Sequence, residues 1–357
     1  MKKHNFTAGP CILAPEVFEG AAAAVREFEG MGLSLLEVSH RDKKVVAVME
    51  EAQQRALKTL GLGDDYAVLF LQGGASSQFA MVPFNLLTLN GRAGYLNTGT
   101  WASKAIEEAD KLAPGQALEL ASSKDRNFSY IPKGFAIPSG LDYVHYTSNN
   151  TIFGTQMKAF PKADSLMVCD MSSDIFSKEI NVADYDIIYA GAQKNLGPAG
   201  ATLYIVKDEI LGKSTSPFMP TYLDLKQQVE KESMLNTPPV FSVYVAMLNL
   251  RNLIANGGVK AMEERNNAKA ALLYKEIDEN PAFRGAVEVE DRSNMNVTFL
   301  LNDESRTEEF DTMWKAAGIV GLPGHRSVGG YRASIYNALP IESIQVLVDV
   351  MRAFNQH

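Results

Sequence analysis

Ala190-Gly191-Ala192-Gln193-Lys194-Asn195-Leu196-Gly197-Pro198-Ala199-Gly200 lies between two strand-like apolar runs, residues 185–189 and 201–206. Lys194 is the one charged residue from 191 to 200, and its neighbours are small. Small neighbours let a flat ligand approach the backbone. A water-poor pocket lowers a lysine pKa, because desolvation disfavours the ammonium. The neutral amine is then a nucleophile that forms a Schiff base with an aldehyde.

Working outward, residues 165–169 form another short apolar run that ends in Asp170. Pyridoxal phosphate (PLP) chemistry uses a lysine Schiff base and an acid that keeps the pyridine nitrogen protonated. Asp170 and Lys194 close successive strand-like runs, so both can face one cleft at the carboxyl edge of a sheet. A surface lysine and a turn aspartate would give the same letters. On pattern alone, PLP chemistry and that bland reading stand as equal alternatives.

Around this centre the chain alternates. Residues 67–72, 92–97, 116–121, 142–147, 165–170, 187–189 and 201–206 read as strands, with helices over 76–89 (interrupted by Pro83) and 101–111. Alternation predicts an α/β fold with a largely parallel sheet covered on both faces. Helices are expected over 16–30, 44–60, 241–256 and 259–279, and breaks at 214–220 and 236–240. The last hundred residues read as α+β, with strands at 296–301 and 331–336 and helices at 307–317 and 341–354.

The 357 residues suggest two domains. A formal charge of −8 argues against a nucleic-acid-binding face, so anion recognition must be local. Two cysteines, Cys11 and Cys169, supply no disulfide framework and fit a reducing compartment. No apolar run reaches the ~18 residues of a membrane span. A soluble cytoplasmic protein with no metal, nucleic-acid or membrane partner is expected.

Further segments carry a resemblance: residues 6–10 (Phe-Thr-Ala-Gly-Pro), 39–41 (Ser-His-Arg), 97–101 (Asn-Thr-Gly-Thr-Trp), 147–155 (Thr-Ser-Asn-Asn-Thr-Ile-Phe-Gly-Thr), 190–200, and 324–337 from Gly-His-Arg to Ile-Tyr-Asn. In this order, over essentially the whole chain, they resemble the phosphoserine aminotransferase family, class V aminotransferases of fold type I. The resemblance implies a large PLP-binding domain (17–257) with a mostly parallel seven-stranded sheet. It also implies a smaller domain built from the N-terminal arm (1–16) and an α+β C-terminal part (258–357).

It implies roles as well. Lys194 holds one PLP per subunit as a Schiff base and moves the substrate α proton, while Asp170 pairs with the ring nitrogen. The Gln72–Ser77 turn reads from its residues either as an anion site or as a serine helix cap; the family assigns Ala75 and Ser76 to the cofactor phosphate. Many members carry Gly-Arg there, so an arginine contribution is missing. Trp101 reads as a core aromatic or a ring-stacking group, and the family implies stacking. Thr151 would meet the ring hydroxyl and Gln193 the phosphate, joined by Asn236 and Thr237 from the partner of a homodimer. Arg332 would grip the substrate α carboxylate. His40, Arg41, His325 and Arg326 would meet a distal anion, with Thr7 nearby.

The implied reaction moves the amino group of L-glutamate to 3-phosphohydroxypyruvate, giving O-phospho-L-serine and 2-oxoglutarate in serine biosynthesis. Many bacterial relatives also take 3-hydroxy-2-oxo-4-phosphooxybutanoate in pyridoxine biosynthesis. The alternative is a class V aminotransferase of the alanine- or serine-glyoxylate type, which needs no distal anion. A cysteine desulfurase needs a mobile cysteine, which neither Cys11 nor Cys169 suits. A non-catalytic scaffold would not need Lys194, Asp170 and Trp101 together.

Overall fold

The computed structural model describes residues 3–216 and 218–356. Residues 1 and 2 of the expected arm, Pro217 of the 214–220 break, and residue 357 lie outside the described residues. In chain order the elements are β1 (His4–Asn5), α1 (Pro15–Arg26), α2 (Lys43–Leu60), β2 (Tyr66–Leu71), α3 (Gly74–Leu86), β3 (Ala93–Asn97), α4 (Thr100–Leu112), β4 (Ala117–Ser122), β5 (Tyr143–Thr147), β6 (Leu166–Asp170), β7 (Ile187–Gly191), β8 (Thr202–Lys207), α5 (Leu225–Glu230), α6 (Val240–Ala255), α7 (Gly258–Glu279), β9 (Phe283–Gly285), β10 (Asn296–Leu301), α8 (Thr307–Ala316), β11 (Ile319–Val320), β12 (Tyr331–Ser334) and α9 (Ile341–Phe354).

Seven strands form one sheet in the order β2-β8-β7-β6-β5-β3-β4. β8 runs antiparallel to both β2 and β7; the other pairings are parallel. Strand alternation sorts the apolar side chains of the large core between the two faces of the sheet. Leu203 and Ile205 of β8 face α2 and α6, with Val243 and Leu250. Tyr204 and Val206 of the same strand face α3 and α4, with Phe79 and Ala105. Both faces are covered, so the strands read as apolar runs. The six parallel strands end on one edge, and the turns after β2, β3, β5, β6 and β7 meet there.

Helix ends follow local chemistry. Asp42 caps α2 by accepting from Lys44 N at 2.9 Å, and Gly61 ends it in the left-handed region. Pro15 opens α1. α1 stops at Arg26, short of the glycines at 30 and 32 that mark its end in the sequence, because Glu27 is already extended and Phe28 N donates to Leu33 O.

A second core surrounds the antiparallel β12-β10-β9 sheet. Phe283, Phe299, Phe310, Tyr331 and Phe354 pack there with centroid separations of 4.9–6.5 Å. Phe6 of the arm is buried among them, and β1 pairs in parallel with β11. α7 serves both cores: Val259 and Met262 pack on the large one, Leu273 and Ile277 on the small one. Buried Lys269, between those ends, donates to the carbonyls of Ile335, Tyr336 and Leu339 at 2.7–3.1 Å.

Phe310 is fully buried at the centre of the aromatic group. Phe310→Ala is expected to cost about 3–5 kcal/mol, read as a lower denaturant midpoint for unfolding of the C-terminal part. A change below about 1 kcal/mol would show that this cluster does not hold the small core together.

Candidate active site

Lys194 lies on a turn that the chain holds from several sides. Leu196 N and Gly197 N both donate to Ala192 O, closing a helical turn just after β7. Asn249 Nδ2 on α6 donates to the carbonyls of Asn195 and Leu196 at 3.0 Å, and Ser242 Oγ to Ala199 O at 2.8 Å. Asn195 Nδ2 donates to Ser173 O at 2.9 Å, tying the turn to the end of β6. The arm covers it: Cys11 N donates to Gln193 O and Cys11 Sγ to Lys194 O. Gly9 packs beside the Lys194 side chain.

The lysine amine donates to Thr151 Oγ1 at 2.8 Å and lies 5.6 Å from the Trp101 ring centroid. Burial lowers its pKa; the nearby Arg332 cation lowers it further, while Asp170 pulls it back up. Asp170 is buried at the end of β6, where it pairs with Thr147 and Tyr189 across the sheet. Burial raises its pKa, and Lys194 and Ser172 oppose that rise. Oδ1 accepts from Ser172 N at 2.9 Å, and Ser172 Oγ in turn accepts from Gly191 N at 3.1 Å. Ser172 is thus the residue that holds this carboxylate in place at the sheet edge.

α3 begins at the same edge. Its first turn carries Ala75 and Ser76, and its cap, Gly73, offers no side chain, so the N-terminal amides stay open. Gly73 has φ +98°, and a Cβ there would meet Ser77 Oγ at 2.2 Å. Arg332 on β12 donates from Nη1 to Thr151 O at 3.2 Å, and its Nε is buried without a partner. Thr151 therefore joins the lysine to the arginine. His325 feels both Arg332 and Arg326: burial and those two cations lower its pKa.

The structure thus brings Lys194, Asp170, Thr151, Trp101 and Arg332 to one place, with Ala75, Ser76, Gln193, His325 and Arg326 around it. The Gln193 side chain makes no hydrogen bond among the described residues. Thr237 reaches this edge within the same chain, its carbonyl accepting from Gln72 Nε2 at 2.7 Å; its side chain and that of Asn236 are exposed. His40 and Arg41 sit on the turn before α2, without a hydrogen bond or ion pair to the other candidates among the described residues. The Thr7 hydroxyl lies 2.7 Å from Asn5 Oδ1 and 2.9 Å from Pro10 O, so it is already engaged within the arm. The sequence reading missed Ser172, although an acid followed two residues later by serine is an Asx-turn pattern. It also missed Asn195, which carries no such signal.

The residues fit PLP on the donor set alone: a half-buried amine of lowered pKa, a buried carboxylate, a ring beside the amine, and open helix amides. The class V aminotransferase family model matches residues 4–347. The chain belongs to the class V aminotransferases. A phosphoserine aminotransferase of Flavobacterium johnsoniae is 61% identical over 354 residues, 99% of each chain. The solved phosphoserine aminotransferase of Bacillus circulans subsp. alkalophilus superposes with TM-score 0.95 at 43% identity over 99% of each chain. A PLP-bound phosphoserine aminotransferase from Trichomonas vaginalis gives TM-score 0.94 at 34% identity, covering 98% of this chain and 100% of its own. A chain of this family is a PLP-dependent transaminase. The two cysteines do not add a nucleophile: burial pushes the Cys11 thiol up to about 12 and raises Cys169 as well.

Asp170→Asn removes the charge that supports the Lys194 ammonium. In cofactor-free protein, reductive trapping of PLP on Lys194 should then reach half-maximum at lower pH than in the wild type. An unchanged profile would mean that the two groups do not share an electrostatic environment.

Proposed function

We propose that the chain transfers the amino group of L-glutamate to 3-phosphohydroxypyruvate, giving 2-oxoglutarate and O-phospho-L-serine in L-serine biosynthesis. The observation that carries this reading is the convergence of Lys194 and Arg332 on Thr151, with His325 and Arg326 beside them. The names of the full-length relatives at 50–61% identity support the same substrate pair.

Lys194 is the amine that holds PLP as a Schiff base, one per subunit. When bound, PLP would supply an electron sink for charge that develops at the substrate α carbon, and the Asp170 carboxylate would keep its ring nitrogen protonated. The α3 amides at Ala75 and Ser76, with Gln193, would hold its phosphate; Trp101 would stack on the ring and Thr151 would take the ring hydroxyl. Arg332 binds the α carboxylate through the fork whose Nε is free. Lys194 Nζ would take up the substrate α proton as base and give it back as acid. The depressed pKa makes more of the amine neutral at a given pH. Arm and loops exclude water, which strengthens each of these contacts.

His325 and Arg326 meet the distal anion, which glutamate and phosphoserine both carry. His40, Arg41, Asn236 and Thr237 act across a homodimer. Exposed Leu33 and Leu36 beside His40 support that reading, since they offer an apolar surface to a second copy. We also assign residues 1–16 and 258–357 to one small domain, which the position of Phe6 supports. The chain is a cytoplasmic enzyme in this reading; no helix of the described residues is long and apolar enough to cross a membrane. The pyridoxine-pathway keto acid 3-hydroxy-2-oxo-4-phosphooxybutanoate has the same distal phosphate and is a second acceptor.

The test is spectroscopic. The purified protein should show the visible band of lysine-bound PLP, lose it with glutamate and regain it with 3-phosphohydroxypyruvate. A band that answers glutamate but not that keto acid would remove the acceptor assignment. Lys194→Ala should lower turnover by at least the ~10²–10⁴ that general acid–base catalysis supplies. Arg332→Ala should raise KM for glutamate by roughly 30- to 10³-fold, the loss of a buried charged contact; equal KM values would sink its assignment.

A further inference from the structure

The segment after β4 is built in an unusual way. Asn127 and Phe128, consecutive and neither of them glycine, have φ +49° and +58°. Asparagine tolerates the left-handed region, but a bulky residue there is an outlier held by its surroundings. The surroundings are clear. Phe128 N donates to Ser123 O at 2.8 Å, and Asn127 N to Lys124 O at 3.1 Å. The next residues run along 288–291 near the small core. Glu288 N donates to Ser129 O, Ile131 N to Asp291 Oδ2, and Arg126 pairs with Glu288 at 2.8 Å.

The distorted turn aims two side chains at the 324–330 loop. Asn127 Nδ2 donates to Ser327 O at 3.1 Å. Phe128 packs on Phe153, centroids 4.8 Å apart, and their cluster includes Ile152, with Trp101 and Val328 against it. The Ser327 peptide is gripped at both ends, because its N–H donates to His325 Nδ1 at 3.2 Å. An Nδ1 that accepts leaves the proton on Nε2 of the neutral ring, which makes Nε2–H the donor available to an anion. Val328 N and Gly329 N close the loop on His325 O at 2.9 Å.

We propose that Asn127, Phe128 and Val328 form a positioning clasp that orients His325 and Arg326 toward the distal anion of the substrate. The proposal rests on the distal-anion role given to His325 and Arg326 above. None of the three touches the reacting atoms; they act through the Ser327 peptide and the apolar cluster. The clasp sets selectivity for anion-bearing donors and leaves the chemistry at Lys194 untouched.

Holoenzyme variants test it. Asn127→Gly keeps the left-handed backbone and deletes the Ser327 contact; Val328→Ala weakens the apolar half. Each is assayed with O-phospho-L-serine, L-glutamate and L-alanine, which lacks a distal anion, by loss of the visible band. The clasp predicts a KM increase of about fivefold per hydrogen bond lost for the first two donors, with kcat within about twofold and alanine unchanged. Equal losses on all three donors, or no loss on any, overturn it. Arg326→Ala separates the underlying reading. If it abolishes the preference for phosphoserine while Asn127→Gly and Val328→Ala keep that preference, the clasp alone fails. If the wild type shows no preference over alanine, the distal-anion reading fails and takes the clasp with it.

Discussion

The site depends on one electrostatic constraint: a half-buried amine and a buried carboxylate held at the same edge of a sheet. Burial favours the neutral form of each, and each charge favours the ionised form of the other. Arg332 adds a second cation on the amine side and pushes Lys194 toward the free base. Such opposed shifts are what acid–base chemistry near neutral pH needs. Holding them requires rigid supports, and the supports are backbone atoms. Ser172 N fixes one oxygen of Asp170, and the carbonyls around Lys194 are tied to α6 and to the arm.

The two cores meet at this constraint. Asn149 Nδ2, next to the Thr151 turn, donates to Asn296 Oδ1 on β10 at 2.8 Å. Asn296 Nδ2 donates to Ser334 Oγ and Tyr336 OH, and Tyr336 OH to Ala8 O in the arm. Every side chain in this chain of contacts is buried, so each has a strong reason to keep its partner. The network fixes β12, hence Arg332, relative to Thr151 and Lys194. The Arg332 cation and the Lys194 amine are thereby set by packing between two cores.

Much of this was legible along the chain. The strand-helix alternation from 67 to 206 predicted a largely parallel sheet covered on both faces, because strands buried on both faces must be apolar runs. The strand at 296–301 and the helix at 341–354 fall where the sequence places them. Lys194 and Asp170 were readable because each is an isolated charge at the end of such a run. Short elements were not: β1, β9 and β11 have two or three residues each, too few to show a period. His40 and Arg41 carry the pattern of a site, yet among the described residues they sit on the turn before α2 with only a local contact, Arg41 N to Ser39 Oγ at 3.2 Å.

The sequence alone determined the fold class and the lysine–aspartate pair, because these rest on hydrophobic period and on residue types at strand ends; the family rests instead on the order of its motifs along the chain. The tertiary structure decided what those groups are made to do. Only packing shows Thr151 between Lys194 and Arg332, residues 43 and 181 positions away. Only packing shows Asn127 in the left-handed region with its amide on Ser327, 200 positions on. Contacts of that separation leave no local period. Their residues are ordinary loop residues until the sheet edge and the second core bring them within hydrogen-bond reach.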